Sequence, residues 1–366
     1  MNEPRAFPDA ATSSSLRLLV VNFEMDERSP VLAWQAGVVN ALAQRCARVL
    51  VLTERIGEYR APANVSVQRL NVRPAGIPYR VGGCLIVLWQ CFSLMRAHRV
   101  HACFIHMNHP WAYRLYPAFR RLRVPVLLWY AHGTVTPSLR LALKCVSRVI
   151  TSTPEGFRIA SPKVRVIGQG IDTERFRLPA DTQVRQDLIT VGRLSRRKRL
   201  DLLFETMAQL KALLPNHRVH LRIIGAPLTA DDNEYVHELH AKKISLGLQN
   251  LVEFVGAVPQ TELPNIYGGA QLMLNVSETG SLDKVILEAL ACGCPILTSN
   301  PAARETLAAY PEFFMATDDP KALAHRLATL LQRESAYQPA ALRALVSGRH
   351  DLNTYAQQIF HHLGEI

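Results

Sequence analysis

The sequence predicts an α/β protein made of two doubly wound domains, and three observations lead to this fold class. Continuous apolar runs such as LRLLVVN (16–22) are typical of parallel strands that are buried on both faces. Segments with helical spacing alternate with these runs along the chain. The length of 366 residues corresponds to about two domains.

The first series of elements follows a polar N-terminal tail. A strand at 16–22 precedes a helix at 29–46, in which Ser29 is the expected cap and Pro30 holds the first helical position. The run CLIVLWQCFSLM (84–95) is too short to cross a membrane. It is interpreted as a buried helix, with contact to a membrane surface as the alternative. The remaining elements expected here are a helix around 111–122 and strands at 47–53, 101–107, 124–133, 147–153 and 164–170.

The second series begins near residue 187. Its expected elements are an amphipathic helix at 199–215 and strands at 187–194, 219–226, 251–258, 270–277 and 295–300. A last helix is expected at 352–363. The sequence therefore divides into a flexible tail (1–15), a first Rossmann-like domain (16–180), a second one (181–345) and a terminal segment (346–366) that returns toward the first domain.

Positive charge is concentrated in the first half of the chain. Residues 1–180 contain 24 Lys and Arg against 10 Asp and Glu, whereas residues 181–366 contain 18 against 20. No acidic residue lies between Glu58 and Glu155, an interval with thirteen Lys or Arg. We therefore expect the first domain to face an anionic partner, such as lipid headgroups, an acidic glycan or nucleic acid. The stretch YRLYPAFRRLR (113–123) is typical of an interfacial helix or of a plain solvated helix face.

The cysteine pattern and the N-terminus predict a cytoplasmic protein. The seven cysteines show no CxxC spacing and lie mostly within apolar runs, which indicates reduced, buried thiols. The first 15 residues lack the apolar segment of a signal peptide. A peripheral position on the inner face of the membrane is a further hypothesis. No metal site is expected, because HELH (237–240) and the scattered histidines lack a convincing ligand set.

The stretch VGRLSRRKRLDLL (191–203) carries the first candidate site. Gly192 allows a tight turn at a strand end, and five cations follow at the start of a helix. These cations oppose the helix dipole, and a bound polyanion such as a pyrophosphate would relieve the conflict. Arg193 and Lys198 are the expected pair, because Arg gives bidentate phosphate contacts and Lys a point charge. The alternative is a solvated charge run.

The stretch SETGSLDKVILE (277–288) opens another helix at the carboxyl end of a strand in the same domain. Ligands of open α/β sheets bind at that edge, so the two stretches are expected to share one ligand. The Glu288 carboxylate suits the hydroxyls of a ribose, and backbone N–H groups near 281–284 suit anionic oxygens. The alternative for Glu288 is an ordinary first-turn helix residue.

Several ordered motifs together resemble the retaining nucleotide-sugar glycosyltransferases of family 4. In the second half these are VGRLSRRKRLDLL, VEFVGAVPQTELPNIYGGAQLMLNVS (252–277) and LDKVILEALACGCPILTSN (282–300). In the first half, VLLWYAHG (126–133) and VRVIGQGIDTERF (164–176) resemble the family's His-Gly turn and its interdomain loop. The resemblance implies the GT-B fold, in which two Rossmann-like domains face a cleft and a helix ends the chain.

The resemblance also implies residue roles. Arg193 and Lys198 would bind the donor pyrophosphate, and Glu288 would hold the ribose. His132 would lie in the cleft near the transferred sugar, where it completes the expected catalytic set. Gly192, at its tight turn, is a further donor-binding residue. The backbone around Val255 to Val258 would touch the nucleotide base, and Ser281 and Leu282 would offer N–H groups to the sugar or phosphate.

The sequence departs from the family pattern at two places that bear on the substrates. Position 280 is Gly where the family commonly has the first of two glutamates, eight positions before Glu288. Asp283, Lys284 or Glu278 is expected to take over part of the sugar contact. The first strand-to-helix turn (22–35) is acidic rather than glycine-rich. There Glu24 and Asp26 either contact acceptor hydroxyls or solvate a loop.

The sequence therefore predicts a retaining hexosyltransferase that needs neither a metal nor a separate cofactor. It would move a sugar from a UDP- or GDP-linked donor to a hydroxyl of a glycan or lipid-linked acceptor, in cell-envelope or exopolysaccharide synthesis. The alternatives are a non-catalytic subunit that binds a nucleotide-sugar or a partner, and a nucleotide-sugar isomerase or hydrolase. Nucleic acid is not an expected partner, because the cations are not interleaved into a recognised module. A nicotinamide enzyme is disfavoured, because no GxGxxG follows the first strand.

Overall fold

The computed structural model describes residues 15–29, 32–70, 82–180, 185–215, 219–277, 280–333 and 337–366. The chain folds into two compact units. The first unit ends at Gly170 and includes Leu352–Ile366, and the second covers Ile171–Asp351. The boundary expected from the sequence lies between residues 180 and 181. Most of the expected tail (1–15) lies outside the described residues.

The first unit is built on a parallel sheet of seven strands in the order β3-β2-β1-β4-β5-β6-β7. These are β1 (Arg17–Met25), β2 (Arg48–Ile56), β3 (Val65–Arg69), β4 (Ala102–His106), β5 (Val126–Trp129), β6 (Arg148–Thr151) and β7 (Val164–Val166). The helices are α1 (Ala33–Ala43), α2 (Gly82–Ala97), α3 (Pro110–Arg114), α4 (Tyr116–Leu122), α5 (Pro137–Cys145) and, at the end of the chain, α12 (Leu352–Gly364).

The direction of the strand crossovers explains which helices cover which face of this sheet. The chain moves one way from β1 to β2 and the other way from β3 to β4 and on through β6. Right-handed crossovers therefore put α1 on one face and α2 to α5 on the opposite face. The helix α12 packs against α1, and its Tyr355 and Ile359 join the core on that face. Because helices cover both faces, central strands such as β1 are apolar throughout their middle.

Two sequence expectations for the first unit are wrong in detail, and one strand was not expected. The first helix begins at Ala33, because the Ser29 hydroxyl accepts the N–H of Leu32 in the turn before it. The helix expected around 111–122 is two helices that meet at Leu115, since Pro117 lacks an N–H and restarts the helix. The edge strand β3 was not expected.

The second unit is built on a parallel sheet of five strands in the order β10-β9-β8-β11-β12. These are β8 (Gln186–Val191), β9 (Leu221–Ile224), β10 (Val252–Gly256), β11 (Ala270–Asn275) and β12 (Ile296–Thr298). The helices are α6 (Leu200–Leu213), α7 (Ala230–Ser245), α8 (Leu263–Gly268), α9 (Lys284–Ala291), α10 (Pro320–Gln332) and α11 (Pro339–Ala344). The strand order reverses beside β8, so the carboxyl ends of β8 and β11 border a topological switch point, where open α/β sheets bind ligands.

Two further expectations concern membranes and thiols. None of the helices within the described ranges is long and apolar enough to cross a membrane. Six cysteines are free thiols, namely Cys46, Cys91, Cys103, Cys145, Cys292 and Cys294, and burial raises the pKa of Cys46 and Cys91 to about 12. These two thiols are protonated at neutral pH and therefore unreactive.

Candidate functional site

The two polar stretches meet at the switch point of the second unit. One follows β8 and contains Lys198, and the other follows β11 and contains Asp283. The Lys198 ammonium donates to Oδ2 of Asp283 at 2.8 Å, which joins the stretches directly. Both side chains are more than four-fifths buried. The two stretches therefore lie side by side, and their sharing of one ligand stays a prediction.

The Asp283 carboxylate is the centre of a small polar network. Its Oδ2 also accepts from the Asn275 amide at 3.0 Å and from the Ser277 hydroxyl at 2.5 Å. Burial would raise the pKa of Asp283, but the Lys198 ammonium and these hydrogen bonds outweigh burial and lower it. Asp283 is thus a fixed carboxylate that holds Lys198 in one position.

Arg193 is attached to the start of α7. Its Nε donates to Oδ2 of Asp232 at 2.7 Å, and its Nη2 donates to the Thr229 hydroxyl at 3.3 Å. Thr229 and Asp232 form the capping box of α7, so Arg193 is held by the residues that begin this helix. Burial would raise the pKa of Asp232, but the bond from Arg193 and the N–H groups of Leu228 and Thr229 lower it to about 2. The Arg193 side chain is still 42% exposed.

The rest of the basic run departs from the expected arrangement. Residues 196–198 form a 3-10 turn, and α6 begins only at Leu200. Arg196 pairs with Glu238 of α7, and Arg199 pairs with Asp318. Carboxylates of the chain itself therefore balance these cations, and the expected conflict with a helix dipole is wrong. Arg196 is exposed, so it fits the alternative interpretation of this run as solvated charges.

Glu288 is buried on α9 beside two polar groups. Its side chain accepts from the Tyr267 hydroxyl at 3.1 Å, and the whole residue is 4% exposed. Lys284 lies one turn earlier on the same helix, so the two side chains share a face. Burial raises the pKa of Glu288 to about 7, against the attraction of Lys284. Burial likewise holds the pKa of Lys284 well below its usual range.

Two glycines shape the loop that carries Arg193 and Lys198. Gly192 has φ +139°, and a Cβ there would lie 3.3 Å from Cε of Lys198. Gly225, after β9, has φ +146°, and a Cβ there would lie 1.9 Å from the carbonyl oxygen of Gly192. The close backbone approach at Gly225 therefore fixes the turn at Gly192. Gly192 was predicted from the sequence and Gly225 was not, although the place of Gly225 at a strand end was a signal.

The other expected donor-binding residues lie at the same edge of the sheet. Val255 lies next to the last residue of β10 and Val258 follows the strand, and both are half-buried. The carbonyl of Ser281 accepts from the Asn300 amide at 2.8 Å, and the Leu282 side chain is part of the core. The helix α9 begins at Lys284 with Asp283 as its cap residue. Gly280 has φ +71°, and Glu278 lies outside the described residues.

The first unit holds the remaining expected residues. His132 follows β5 and is exposed, and its N–H donates to the carbonyl of Gly156 at 2.9 Å. Glu24 lies within β1 rather than in the turn after it, and it accepts from the Ser29 hydroxyl and pairs with Arg55. Asp26 follows β1, and its carboxylate accepts the N–H of Arg28. Ordinary local contacts thus hold both acidic side chains.

The polar residues that hold the expected site residues were not predicted from the sequence. Asn275 and Ser277 hold Asp283, Asp232 holds Arg193, and Tyr267 holds Glu288. Asn275 and Ser277 lie at the end of the predicted strand 270–277, which was a usable signal. The pairings of Asp232 and Tyr267 involve distant parts of the chain and leave no local pattern.

One group of side chains within the described ranges could hold a metal ion. It consists of His361, His362 and Glu365 on and after α12 in the first unit. Arg148 contacts both His362 and Glu365, so the Glu365 carboxylate is already bound to the guanidinium of Arg148. None of these residues belongs to the switch-point site.

A family comparison identifies the part of the chain that carries this site. Residues 185–333 match the family model of the glycosyl transferases group 1. The matched segment contains every donor-side residue named above. The family resemblance predicted from the sequence motifs is confirmed there.

Over part of its length, the chain is similar to named glycosyltransferases and a synthase. D-inositol 3-phosphate glycosyltransferase 2 of Catenulispora acidiphila is 32% identical over 161 residues, which are 40% of this chain and 37% of that protein. GDP-mannose:cellobiosyl-diphosphopolyprenol alpha-mannosyltransferase of Komagataeibacter xylinus is 28% identical over 190 residues, 51% and 46% of the two chains. Mannosylfructose-phosphate synthase of Agrobacterium fabrum is 28% identical over 169 residues, 41% and 37%. The chain therefore spans less than half the length of these relatives.

Solved structures extend the likeness to the whole fold. Anabaena HepE in complex with UDP and glucose has a TM-score of 0.78 and 19% identity, covering 96% of this chain and all of that one. Sucrose-phosphate synthase of Thermosynechococcus elongatus has a TM-score of 0.75 and 16% identity, covering 96% and 98%. The predicted GT-B fold is confirmed.

Proposed function

We propose that the chain is a glycosyltransferase that moves a sugar from a nucleoside-diphosphate sugar to an acceptor hydroxyl with retention of the anomeric configuration. The observation that supports this most strongly is the contact between Lys198 and Asp283 at the switch point. It brings a cation for phosphate and the start of α9 to one place, with Glu288 on the same helix. One relative named for GDP-mannose and a similar structure in complex with UDP support the choice of donor class.

In this proposal the cations stabilise the leaving nucleoside diphosphate. Lys198 and Arg193 are held in place by Asp283 and Asp232, so their charges need no reorganisation when the sugar–phosphate bond breaks. Such preorganised charge is a large source of rate enhancement. The proposal assigns this task to fixed cations rather than to a metal ion or a separate cofactor. A chelator should then leave turnover unchanged.

The other residues orient the donor. The Glu288 carboxylate, held by Tyr267, would accept hydrogen bonds from ribose hydroxyls. Val255 and Val258 would contact the base, and the backbone near Ser281 and Leu282 would contact the sugar or phosphate. Asp283 and Lys284 would take over contacts of the glutamate that Gly280 replaces. His132, near the transferred sugar, and the acceptor roles of Glu24 and Asp26 remain predictions.

We place the acceptor among glycans and lipid-linked glycans of cell-envelope or exopolysaccharide synthesis. The name of the Komagataeibacter relative, which includes a diphosphopolyprenol, supports a lipid-linked acceptor. The charge of the first unit supports work at the inner face of a membrane, because thirteen cations and no carboxylate lie between Glu58 and Glu155.

The test is nucleotide release from a panel of UDP- and GDP-sugars, with and without lipid-linked glycan acceptors. Release that requires an acceptor, with an α-linked product from an α-linked donor by NMR, supports the proposal. Release without acceptor would instead favour a hydrolase or isomerase. Nucleotide binding with no release under any condition would favour the non-catalytic subunit.

A further inference from the structure

The outer face of α2 carries two large apolar side chains in solvent. Leu85 is 61% exposed and Trp89 is 71% exposed. They are one helical turn apart, so they lie on one stripe. The opposite side of α2 holds Val87, Cys91 and Met95, which are fully buried in the core. The expectation that the helix at 84–95 is buried is therefore wrong for the side that carries Leu85 and Trp89, because this side of α2 faces solvent.

Cations continue this stripe along the same helix and onto its neighbour. Arg96 is exposed seven residues after Trp89, two helical turns along the same face. The helix α4 packs against α2 and exposes Arg120 and Arg121. Long Arg side chains can lie along an apolar surface while their guanidinium groups reach a polar one.

A third helix of the same layer has the same composition. The helix α5 exposes Leu141 (45%) together with Arg140 and Lys144. Right-handed crossovers put α2 to α5 on one face of the sheet, as described above. We name the exposed residues of this face the basic-apolar layer. Its defining members are Leu85, Trp89, Arg96, Arg120, Arg121, Arg140, Leu141 and Lys144.

The charge of the basic-apolar layer is uniform. No Asp or Glu occurs anywhere between Glu58 and Glu155, so none of its helices carries a carboxylate. An ordinary surface mixes both signs of charge. A layer of one sign therefore attracts an extended anionic surface, and the attraction weakens as salt screens it.

We propose that the basic-apolar layer docks on the surface of an anionic lipid bilayer. Trp89 and Leu85 would enter the boundary between headgroups and acyl chains, where Trp is favoured. The arginines would bind the acidic headgroups. Nucleic acid and acidic proteins match the cations equally well, but they give no reason for Leu85 and Leu141 to be exposed beside them. This inference concerns the first unit and does not depend on the proposed donor chemistry of the second.

The test uses the full chain with vesicles of phosphatidylcholine alone or mixed with phosphatidylglycerol, at low and high salt. We expect sedimentation with the mixed vesicles only, and release by salt. Arg120→Ser with Arg121→Ser should weaken binding by about tenfold or more, since each cation near an anionic surface contributes a factor of about five. The matched control is Lys211→Ser with Lys321→Ser, exposed lysines of the second unit, which should bind as the native chain does.

A second readout follows Trp89 itself. Trp111 and Trp129 are buried, so Trp89 is the described tryptophan most open to solvent. Mixed vesicles should shift its emission to shorter wavelength, and bromine-labelled acyl chains should quench it. Trp89→Phe should remove this shift and keep sedimentation, whereas Leu85→Ser with Trp89→Ser should weaken sedimentation. Ile244→Ser, which changes an exposed apolar residue of α7, is the control and should have no effect.

Each contrary outcome overturns the proposal. The proposal is contradicted if the native chain does not sediment with the mixed vesicles. It is also contradicted if the variants of the basic-apolar layer sediment as strongly as the native chain. Binding to a DNA duplex or to an acidic protein without binding to vesicles would assign the layer to that partner instead. The thermal shift with UDP, measured on the same preparations, shows whether the second unit is folded and separates failure of docking from failure of the donor site.

Discussion

The ammonium of Lys198 and the carboxylate of Asp283 lie 2.8 Å apart, although the two residues are 85 positions apart in the sequence. This ion pair ties the loop after β8 to the start of α9. Both polar stretches that the sequence singled out thereby become parts of one site. The proposed donor chemistry depends on this relationship.

Replacing Asp283 by Asn tests what the ion pair does. The variant leaves the largely buried Lys198 ammonium without its charged partner, so we expect a loss of about 1–3 kcal/mol in the free energy of unfolding. A bound diphosphate would satisfy that ammonium. UDP or GDP should therefore raise the Tm of Asp283→Asn more than it raises the native Tm, as measured by differential scanning fluorimetry.

Glu238→Gln is the control for this experiment, because it breaks a comparable pair with Arg196 that is exposed on both sides. It should change neither the stability nor the nucleotide shift measurably. Equal nucleotide shifts in Asp283→Asn and the native protein would show that Lys198 does not meet the diphosphate.

The raised pKa of Glu288 predicts how stability depends on pH. The folded carboxyl holds its proton up to about pH 7, whereas an ordinary one loses it near 4.5. Between these values the native state binds more protons than the unfolded state, so the free energy of unfolding falls as the pH rises. Glu288→Gln should remove this part of the pH dependence in urea unfolding experiments. A pH profile identical to the native one would contradict the assignment.

The same group predicts how nucleotide binding depends on pH. Ribose hydroxyls donate to the ionised carboxylate, and the pKa of Glu288 is about 7. Affinity for UDP or GDP should therefore rise as the pH increases from about 6 to about 8, with release of a proton, both measurable by calorimetry in buffers of different ionisation heat. A flat affinity over this range would exclude Glu288 as the ribose acceptor.

The glycine after β9 gives a prediction about the loop itself. Gly225→Ala would place a Cβ 1.9 Å from the Gly192 carbonyl oxygen, so we expect a loss of about 2 kcal/mol or more in unfolding free energy. Gly247→Ala is the matched control, since its φ is also positive (+65°) but nothing lies within 4 Å of the added carbon. It should cost about 1 kcal/mol. Similar losses in both variants would mean that backbone strain, not the close approach, governs this loop.

The order of elements could be predicted from the sequence because strand and helix periodicities are local. The apolar runs of β1, β2 and β8 and the helix pattern of α6 were all placed within a few residues. Helix ends were less accurate, since side-chain turns such as the one at Ser29 decide them. The break between α3 and α4 was missed, although Pro117 marked it.

The site could be predicted only in part, for the same physical reason. Gly192, Arg193, Lys198 and Glu288 follow recognisable strand ends or helix starts. Their partners Asp232 and Tyr267 come from other elements, and only folding brings them close. The ion pairs of Arg196 with Glu238 and of Arg199 with Asp318 also join distant parts of the chain, so they could not be predicted from the sequence. The sequence alone therefore overstated the electrostatic repulsion in the basic run.

The most direct test of the central claim is the affinity of the native chain for UDP and GDP, compared with Lys198→Ala, Arg193→Ala and the control Arg197→Ala. Arg197 is exposed and lies in the same basic run. We expect one nucleotide to bind the native chain and Arg197→Ala equally. Loss of either phosphate-binding cation should lower the affinity by about tenfold or more. Equal binding by all four proteins, or no binding by the native chain, would contradict a donor site at Lys198 and Arg193.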